Sequence, residues 1–151
     1  MSFKQEYKGV WRGTEVKIRG KKVVGKTIFE AGLIVEGNAK LLCPVNWGYL
    51  AASITTQEKG RGTAPGAPRA SGKPYGKPTV PATMKIQPPM MEQQVYVGTP
   101  LSYGPWVEYG TAKMEPQSFL RPALAMAQGK TLTLFVYNGR VQFKDFIRGA
   151  A

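Results

Sequence analysis

The 151-residue chain has no histidine, one cysteine (Cys43) and one aspartate (Asp145). Without histidine it lacks the most common metal ligand and the most common general base. A Ser-His-Asp or Cys-His arrangement cannot form within the chain, and a lone thiol supports neither an intramolecular disulfide nor a thiolate metal site. We therefore expect a protein that is not an enzyme and that holds no cofactor and no metal ion.

Long apolar runs are missing too. No stretch approaches the ~18 consecutive apolar residues of a membrane span. The N-terminal sequence MSFKQEYKG also lacks the apolar core of a signal peptide. We expect no membrane contact and synthesis inside the cell.

Acidic residues are outnumbered by basic ones, with nine Asp and Glu against 21 Lys and Arg and a formal net charge of +12. A field this positive predicts that the partner is nucleic acid, an acidic surface or an acidic protein. Charge alone does not choose among these three.

The length suits one compact domain. Residues 1–14 are polar with isolated aromatics, among them Trp11, which predicts an extended N-terminal arm that orders against a partner. A tail without a role is the alternative. Residues 15–151 are predicted to form a single domain with a long Pro/Gly-rich basic loop inserted at about 59–92.

Apolar spacing predicts the first elements of this domain. Val16 and Ile18 alternate with charged residues, which predicts a short strand over Glu15–Arg19. Apolar residues at three- and four-residue spacing predict a long amphipathic helix over Lys22–Leu42, ended by Pro44. Three glycines inside this helix predict close packing against another backbone: Gly25, Gly32 and Gly37.

The rest of the chain predicts several short elements after that long helix. We expect a turn and a short helix over Asn46–Ile54, a strand reaching about Glu58, and a second strand over Gln93–Gly98. A short helix should follow Pro122. Near the C-terminus, Asn138-Gly139 between two alternating runs predicts a β-hairpin, with a helix as the competitor because the second run is short.

One segment imitates a nucleotide site. Gly20–Thr27 satisfies the phosphate-loop pattern G-x-x-x-x-G-K-[ST]. The chain offers no succession of strand-helix-strand units around it, and Val23 and Val24 belong to the apolar stripe of the predicted helix. Nucleotide binding is therefore a minor alternative, to be tested by thermal stabilisation with magnesium-nucleotide.

The basic loop leaves three interpretations open. Its cations could follow a nucleic-acid backbone by displacing counterions, remain solvated, or become ordered across a neighbouring subunit. For the first or the third role we select four residues: Arg61, Arg69, Lys73 and Lys77.

Three blocks of sequence resemble a known family. They span Pro44–Ile54 (PVNWGYLAASI), Tyr103–Thr111 (YGPWVEYGT) and Pro116–Leu124 (PQSFLRPAL). Their order and spacing resemble the tailed-bacteriophage neck proteins, also called head-tail joining or tail completion proteins. The resemblance covers roughly Glu15–Met126.

This resemblance implies a single α+β domain in which a small antiparallel sheet packs against the long amphipathic helix. It also implies a virion structural protein made in the host cytoplasm. It would form a homo-oligomeric ring, a hexamer, that joins phage head to tail around the DNA channel. Its partners would be other copies of itself, neighbouring connector and tail proteins, and packaged DNA. The fold and the subunit contact are assigned to five residues: Trp11, Trp106, Glu108, Phe119 and Arg121. The alternative is a free basic protein that binds nucleic acid without sequence preference.

Overall fold

The structure is a computed structural model that describes residues 12–68 and 81–148, with side chains up to Lys144. The fold is α+β, as predicted. Its elements in chain order are α1 (Gly13–Leu42), α2 (Tyr49–Ser53), β1 (Thr55–Glu58), β2 (Arg61–Gly62), β3 (Tyr96–Gly98), α3 (Gly104–Tyr109) and α4 (Leu120–Arg148).

Helix α1 confirms the predicted long amphipathic helix but begins earlier, at Gly13. The strand predicted for Glu15–Arg19 is therefore wrong. Arg19 lies one turn after Glu15 and pairs with its carboxylate at 3.0 Å, and its guanidinium also donates to the Gln142 carbonyl of α4 at 3.1 Å. The pair with Glu15 forms at helical spacing, and the bond to Gln142 involves a residue far along the chain. These contacts favour a helix here, despite the strand-like alternation of two apolar residues.

The sheet has the order β2-β1-β3, and both strand pairs are antiparallel. It lies against α1 at Gly32, where the Thr56 hydroxyl donates to the glycine carbonyl at 3.2 Å. A Cβ added at Gly32 would come within 2.7 Å of Thr56 and of Val95. Close packing is present at Gly32, but it is against side chains and not against another backbone as predicted. At Gly25 and Gly37 an added Cβ would meet no described atom within 4 Å.

Helix α4 replaces the predicted C-terminal hairpin, which is wrong. Instead of turning the chain, Asn138 is 1% exposed and faces α1. Its amide donates to the Thr27 hydroxyl at 3.1 Å and to the Glu30 carboxylate at 2.7 Å. A long-range polar contact thus overrides the local Asn-Gly turn signal. The short helix predicted after Pro122 begins at Leu120 and continues to Arg148.

The two long helices run antiparallel. Asn38 of α1 donates to the Ala123 carbonyl near the start of α4, whereas Arg19 donates to the Gln142 carbonyl towards its end. The core lies at the sheet-bearing half of this helix pair, where four apolar residues have no exposed surface: Ala39, Ile54, Phe119 and Ala123. The predicted short helix and strand after Asn46 and the strand ending at Gly98 are also present.

Both ends of the predicted loop insertion lie against the domain. The chain leaves β1 through a hairpin with β2, and it returns where the Ser102 N–H donates to the Ala82 carbonyl at 3.1 Å. Residues 69–80 of the loop and residues 1–11 of the predicted arm lie outside the described residues.

Candidate subunit-contact site

The first part of the candidate site is the junction between α3 and α4, and Glu108 is its centre. Its buried carboxylate accepts hydrogen bonds from the N–H groups of Phe119, Leu120 and Arg121 at 2.8, 2.9 and 3.2 Å. These N–H groups belong to the start of α4, where a helix leaves its donors without intrahelical partners. Glu108 therefore acts as a cap supplied from another helix, and its negative charge suits the positive end of the α4 dipole.

Arg121 closes the junction from the solvent side. Its Nε donates to the Glu108 carboxylate at 3.1 Å, and a terminal nitrogen donates to the Glu108 carbonyl and to the Ser118 hydroxyl, both at 3.1 Å. The guanidinium also lies 4.9 Å from the centre of the Tyr109 ring, within cation-π range. Arginine suits this position because its planar group can donate to several acceptors at once.

The ionisation of Glu108 follows from these partners. Burial by itself would raise its pKa, but the three backbone N–H donors and the Arg121 side chain favour the charged form more strongly. The pKa of Glu108 is therefore lowered, and the carboxylate stays ionised at neutral pH. The junction is a fixed charge pair and not a proton donor.

The chain turns into this junction at Gly110. Its φ of +77° lies in the left-handed region, and an added Cβ would lie 2.8 Å from the Met114 carbonyl oxygen. Because a side chain is excluded both by φ and by space, this position requires glycine. The turn allows Phe119 to enter the core directly before α4 begins.

The five residues predicted for the subunit contact thus separate into different environments. Glu108, Phe119 and Arg121 come together and hold the start of α4. Trp106 lies on the outer side of α3, with 59% of its surface exposed, whereas Phe119 is fully buried in the core. Trp11 lies outside the described residues.

The second part of the candidate site is an apolar groove between α1 and α4. Strand β3 and the residues just before it form the floor of this groove. Its volume is about 790 Å³. One wall is the α1 stripe that contains Val24, Ile28 and Val35, and the other is α4. Three α4 side chains on that wall are partly open to solvent: Leu124, Leu132 and Phe135. We call this surface the α1/α4 groove.

The α1/α4 groove was not predicted from the sequence. Its two walls are about a hundred residues apart along the chain, and the hairpin prediction hid the second wall. A signal exists on α4, where Leu120, Leu124 and Leu132 recur at multiples of four residues, a spacing typical of a helix face.

The four residues chosen from the basic loop are only partly described. Arg61 lies on β2, where its guanidinium sits 3.8 Å from the centre of the Phe29 ring and 3.7 Å from the Glu58 carboxylate. Its charge is therefore directed at its own domain. Arg69, Lys73 and Lys77 lie outside the described residues.

The phosphate-loop imitation is continuous helix. Gly20–Thr27 lies inside α1, so its backbone N–H groups are directed along the helix and form no turn around a phosphate.

Burial raises the pKa of the Cys43 thiol to about 11, which keeps the sulfur protonated and unreactive at neutral pH.

Within residues 12–68 and 81–148, no cluster of three or more His, Cys, Asp or Glu side chains has the proximity needed to hold a metal ion. Among the helices of the described part of the chain, none is both long enough and apolar enough to cross a membrane.

Comparison of the chain with protein-family models, with curated proteins and with solved structures gives no match.

Proposed function

We propose that this chain is a virion structural protein that assembles into a homo-oligomeric ring, a hexamer, in the neck or tail-completion region of a tailed bacteriophage. The ring would join head to tail around the DNA channel, with connector proteins, tail proteins and packaged DNA as neighbours. The observation that carries the proposal is the open α1/α4 groove, because a monomeric soluble protein rarely leaves a large contiguous apolar surface exposed to water.

The sequence blocks that carry the resemblance help to position one wall of the groove. The second and third blocks contain Glu108 and Arg121, whose hydrogen bonds fix the start of α4. Because α4 forms one wall of the groove, this junction determines where Leu124 and Leu132 stand relative to α1. The residues that resemble the neck family therefore support the surface that we assign to the subunit contact, together with the exposed Trp106.

The mass of the purified particle tests this proposal. Light scattering and negative-stain imaging of the full chain should give rings. Leu132→Glu should shift the population towards monomer, because a carboxylate would be buried without a partner in the contact. Leu41→Glu is the matched control, since Leu41 is a helical leucine that is 86% exposed and does not line the groove. Equal masses for the two variants would remove the groove from the contact.

A free, non-specific nucleic-acid-binding protein is the second candidate, favoured by the net charge of +12. It predicts tight and salt-sensitive binding of duplex DNA by the monomer. The ring proposal predicts that tight binding appears only with assembly. A wild-type chain that remains monomeric and binds duplexes tightly would favour this candidate over the ring.

A further inference from the structure

The positive charge of the described chain is concentrated at one end of the helix pair. We define the helix-pair end as residues 12–26 and 138–144, which lie beyond the sheet. It contains eight basic residues and one acidic residue, Glu15, for a net charge of +7. The other residues whose side chains are described, 27–68 and 81–137, contain seven basic and six acidic residues, for a net charge of +1. The field of the protein therefore originates mainly at this end.

Part of this charge lies on one face. Val23 and Thr27 are buried against α4, and Val24 and Ile28 line the α1/α4 groove. At about 100° per residue, Lys22 lies on the side of α1 opposite the groove. The same rotation of about 100° per residue applies to α4, where Asn138 is buried and Phe135 lines the groove. It places Arg140 and Lys144 on the side of α4 opposite the groove.

The antiparallel register brings these residues to the same level. Arg19 reaches Gln142 and Thr27 reaches Asn138, so Lys22 of α1 lies opposite the Arg140 turn of α4. Lys22, Arg140 and Lys144 are all exposed. We call these three residues the basic face.

Among the side chains that the structure describes, no acidic neighbour cancels the basic face. The nearby carboxylates of this set have other partners: Glu15 pairs with Arg19 at 3.0 Å, and Glu30 lies 3.7 Å from Lys26 and accepts from Asn138. No acidic residue stands three or four positions from Lys22, Arg140 or Lys144, the spacing at which a helix forms ion pairs. Three cations are therefore directed to solvent.

We propose that the basic face binds the phosphate backbone of duplex nucleic acid without reading the bases. Lys22 lies on one of two packed helices whose axes are about 8–10 Å apart, and Arg140 and Lys144 follow each other on the second helix with a step of about 6 Å. Such a spread of cations fits a repeating line of phosphates better than a single small anion. The contact is electrostatic, so its strength should fall steeply with salt. This inference requires neither the ring nor the basic loop.

The test compares two triple variants of the full chain that lose the same charge. Lys22→Gln/Arg140→Gln/Lys144→Gln removes the basic face, and Lys17→Gln/Lys21→Gln/Lys113→Gln removes three exposed cations that lie outside both the basic face and the basic loop. Binding to a fluorescent duplex of random sequence is followed by anisotropy between 50 and 200 mM salt. Each lost phosphate contact should reduce the slope of log K against log[salt] by about 0.9.

We expect the face variant to lose about 2.7 from the slope, which is roughly a 40-fold difference in salt sensitivity over this range. The control variant should keep the wild-type slope, and the charge-preserving Lys22→Arg/Lys144→Arg should bind as wild type does. Circular dichroism checks that the helix content is unchanged. Light scattering on the same samples reports assembly separately, so loss of the slope with intact assembly separates this inference from the ring proposal.

Three results would overturn the inference. One is the absence of salt-dependent duplex binding by the wild-type chain. Another is an equal change of slope in the two triple variants, which would mean that bulk charge and not the basic face is responsible. The third is binding to vesicles containing anionic phospholipid with no binding to duplex.

Discussion

The sheet-bearing body and the helix-pair end are built on different principles. The body, defined as residues 27–68 and 81–137, contains the side chains without exposed surface and a net charge of only +1. The helix-pair end carries +7, and its buried residues are Val23 and Asn138, whose amide donates to Thr27. Burial of apolar area therefore stabilises the body, whereas the helix-pair end is stabilised mainly by its continuity with it.

This difference separates folding from binding. Apolar burial and like-charge repulsion act against each other in a small domain, because repulsion destabilises a compact state. Placing the cations where few residues are buried keeps the repulsion away from Phe119 and Ile54 in the core. The body can then remain well packed while the helix-pair end presents an unneutralised field.

The largest effect should come from removing the carboxylate at the α3/α4 junction. Glu108→Ala leaves three N–H groups of α4 and the Arg121 guanidinium without their acceptor, and we expect a loss of about 3 kcal/mol in the free energy of unfolding. Urea denaturation measures it. Glu115→Ala, at an exposed glutamate nearby, is the control and should change stability by less than about 0.5 kcal/mol. Similar losses in both variants would contradict the role of the junction.

A smaller effect is expected where the two regions meet. Asn138→Ala removes the donors to Thr27 and Glu30 from a buried position, which should lower the free energy of unfolding by about 2 kcal/mol. Amide hydrogen exchange should also accelerate along residues 13–26 more than in the body. Thr133→Ala, at an exposed position of the same helix, is the control. Uniform acceleration over the whole chain would show that the helix-pair end is not a separate unit.

The sequence predicted the body better than the helix-pair end, and the reason is the range of the contacts. Helix α1 was found because its apolar spacing is local. The C-terminal helix was mistaken for a hairpin, since Asn138-Gly139 is a local turn signal and the partners of Asn138 lie more than a hundred residues away. Glu15–Arg19 was mistaken for a strand for the same reason.

The parts of the candidate site also differ in how far they can be predicted from the sequence. Glu108, Phe119 and Arg121 were selected from blocks separated by about ten residues, and the structure brings them together. The α1/α4 groove and the basic face each combine residues from both ends of the chain. Neither could be predicted without knowing that α1 and α4 run antiparallel in this register.

Acid should weaken the body through two carboxylates. Burial alone would raise the pKa of Glu36 and of Glu108, but hydrogen bonds to their charged forms outweigh it, so that both pKa values lie below the ordinary 4.5. The unfolded chain then binds protons at a higher pH than the folded chain. The stabilisation is complete above about pH 5.5, declines as the pH falls through 4.5, and disappears below the folded pKa values.

The melting temperature between pH 3 and pH 7 measures this dependence. Glu36→Gln should flatten the profile, because one of the two titrating groups is removed. Glu92→Gln, at an exposed glutamate, should leave it unchanged. A wild-type melting temperature that is constant from pH 6 to pH 3.5 would contradict the assigned ionisation.

The smallest expected effects come from two glycines of the same helix, one in each region. Gly25, at the helix-pair end, has open space where a Cβ would stand, so Gly25→Ala should raise the free energy of unfolding by up to about 1 kcal/mol through helix propensity alone. At Gly32, in the body, the new Cβ would lie 2.7 Å from the side chains of Thr56 and Val95. Gly32→Ala should therefore push the sheet away from α1 and lower stability despite the same gain in propensity. Urea denaturation of the two single variants gives the sign of each change in the free energy of unfolding. Equal signs would contradict the close contact between the sheet and α1 at Gly32.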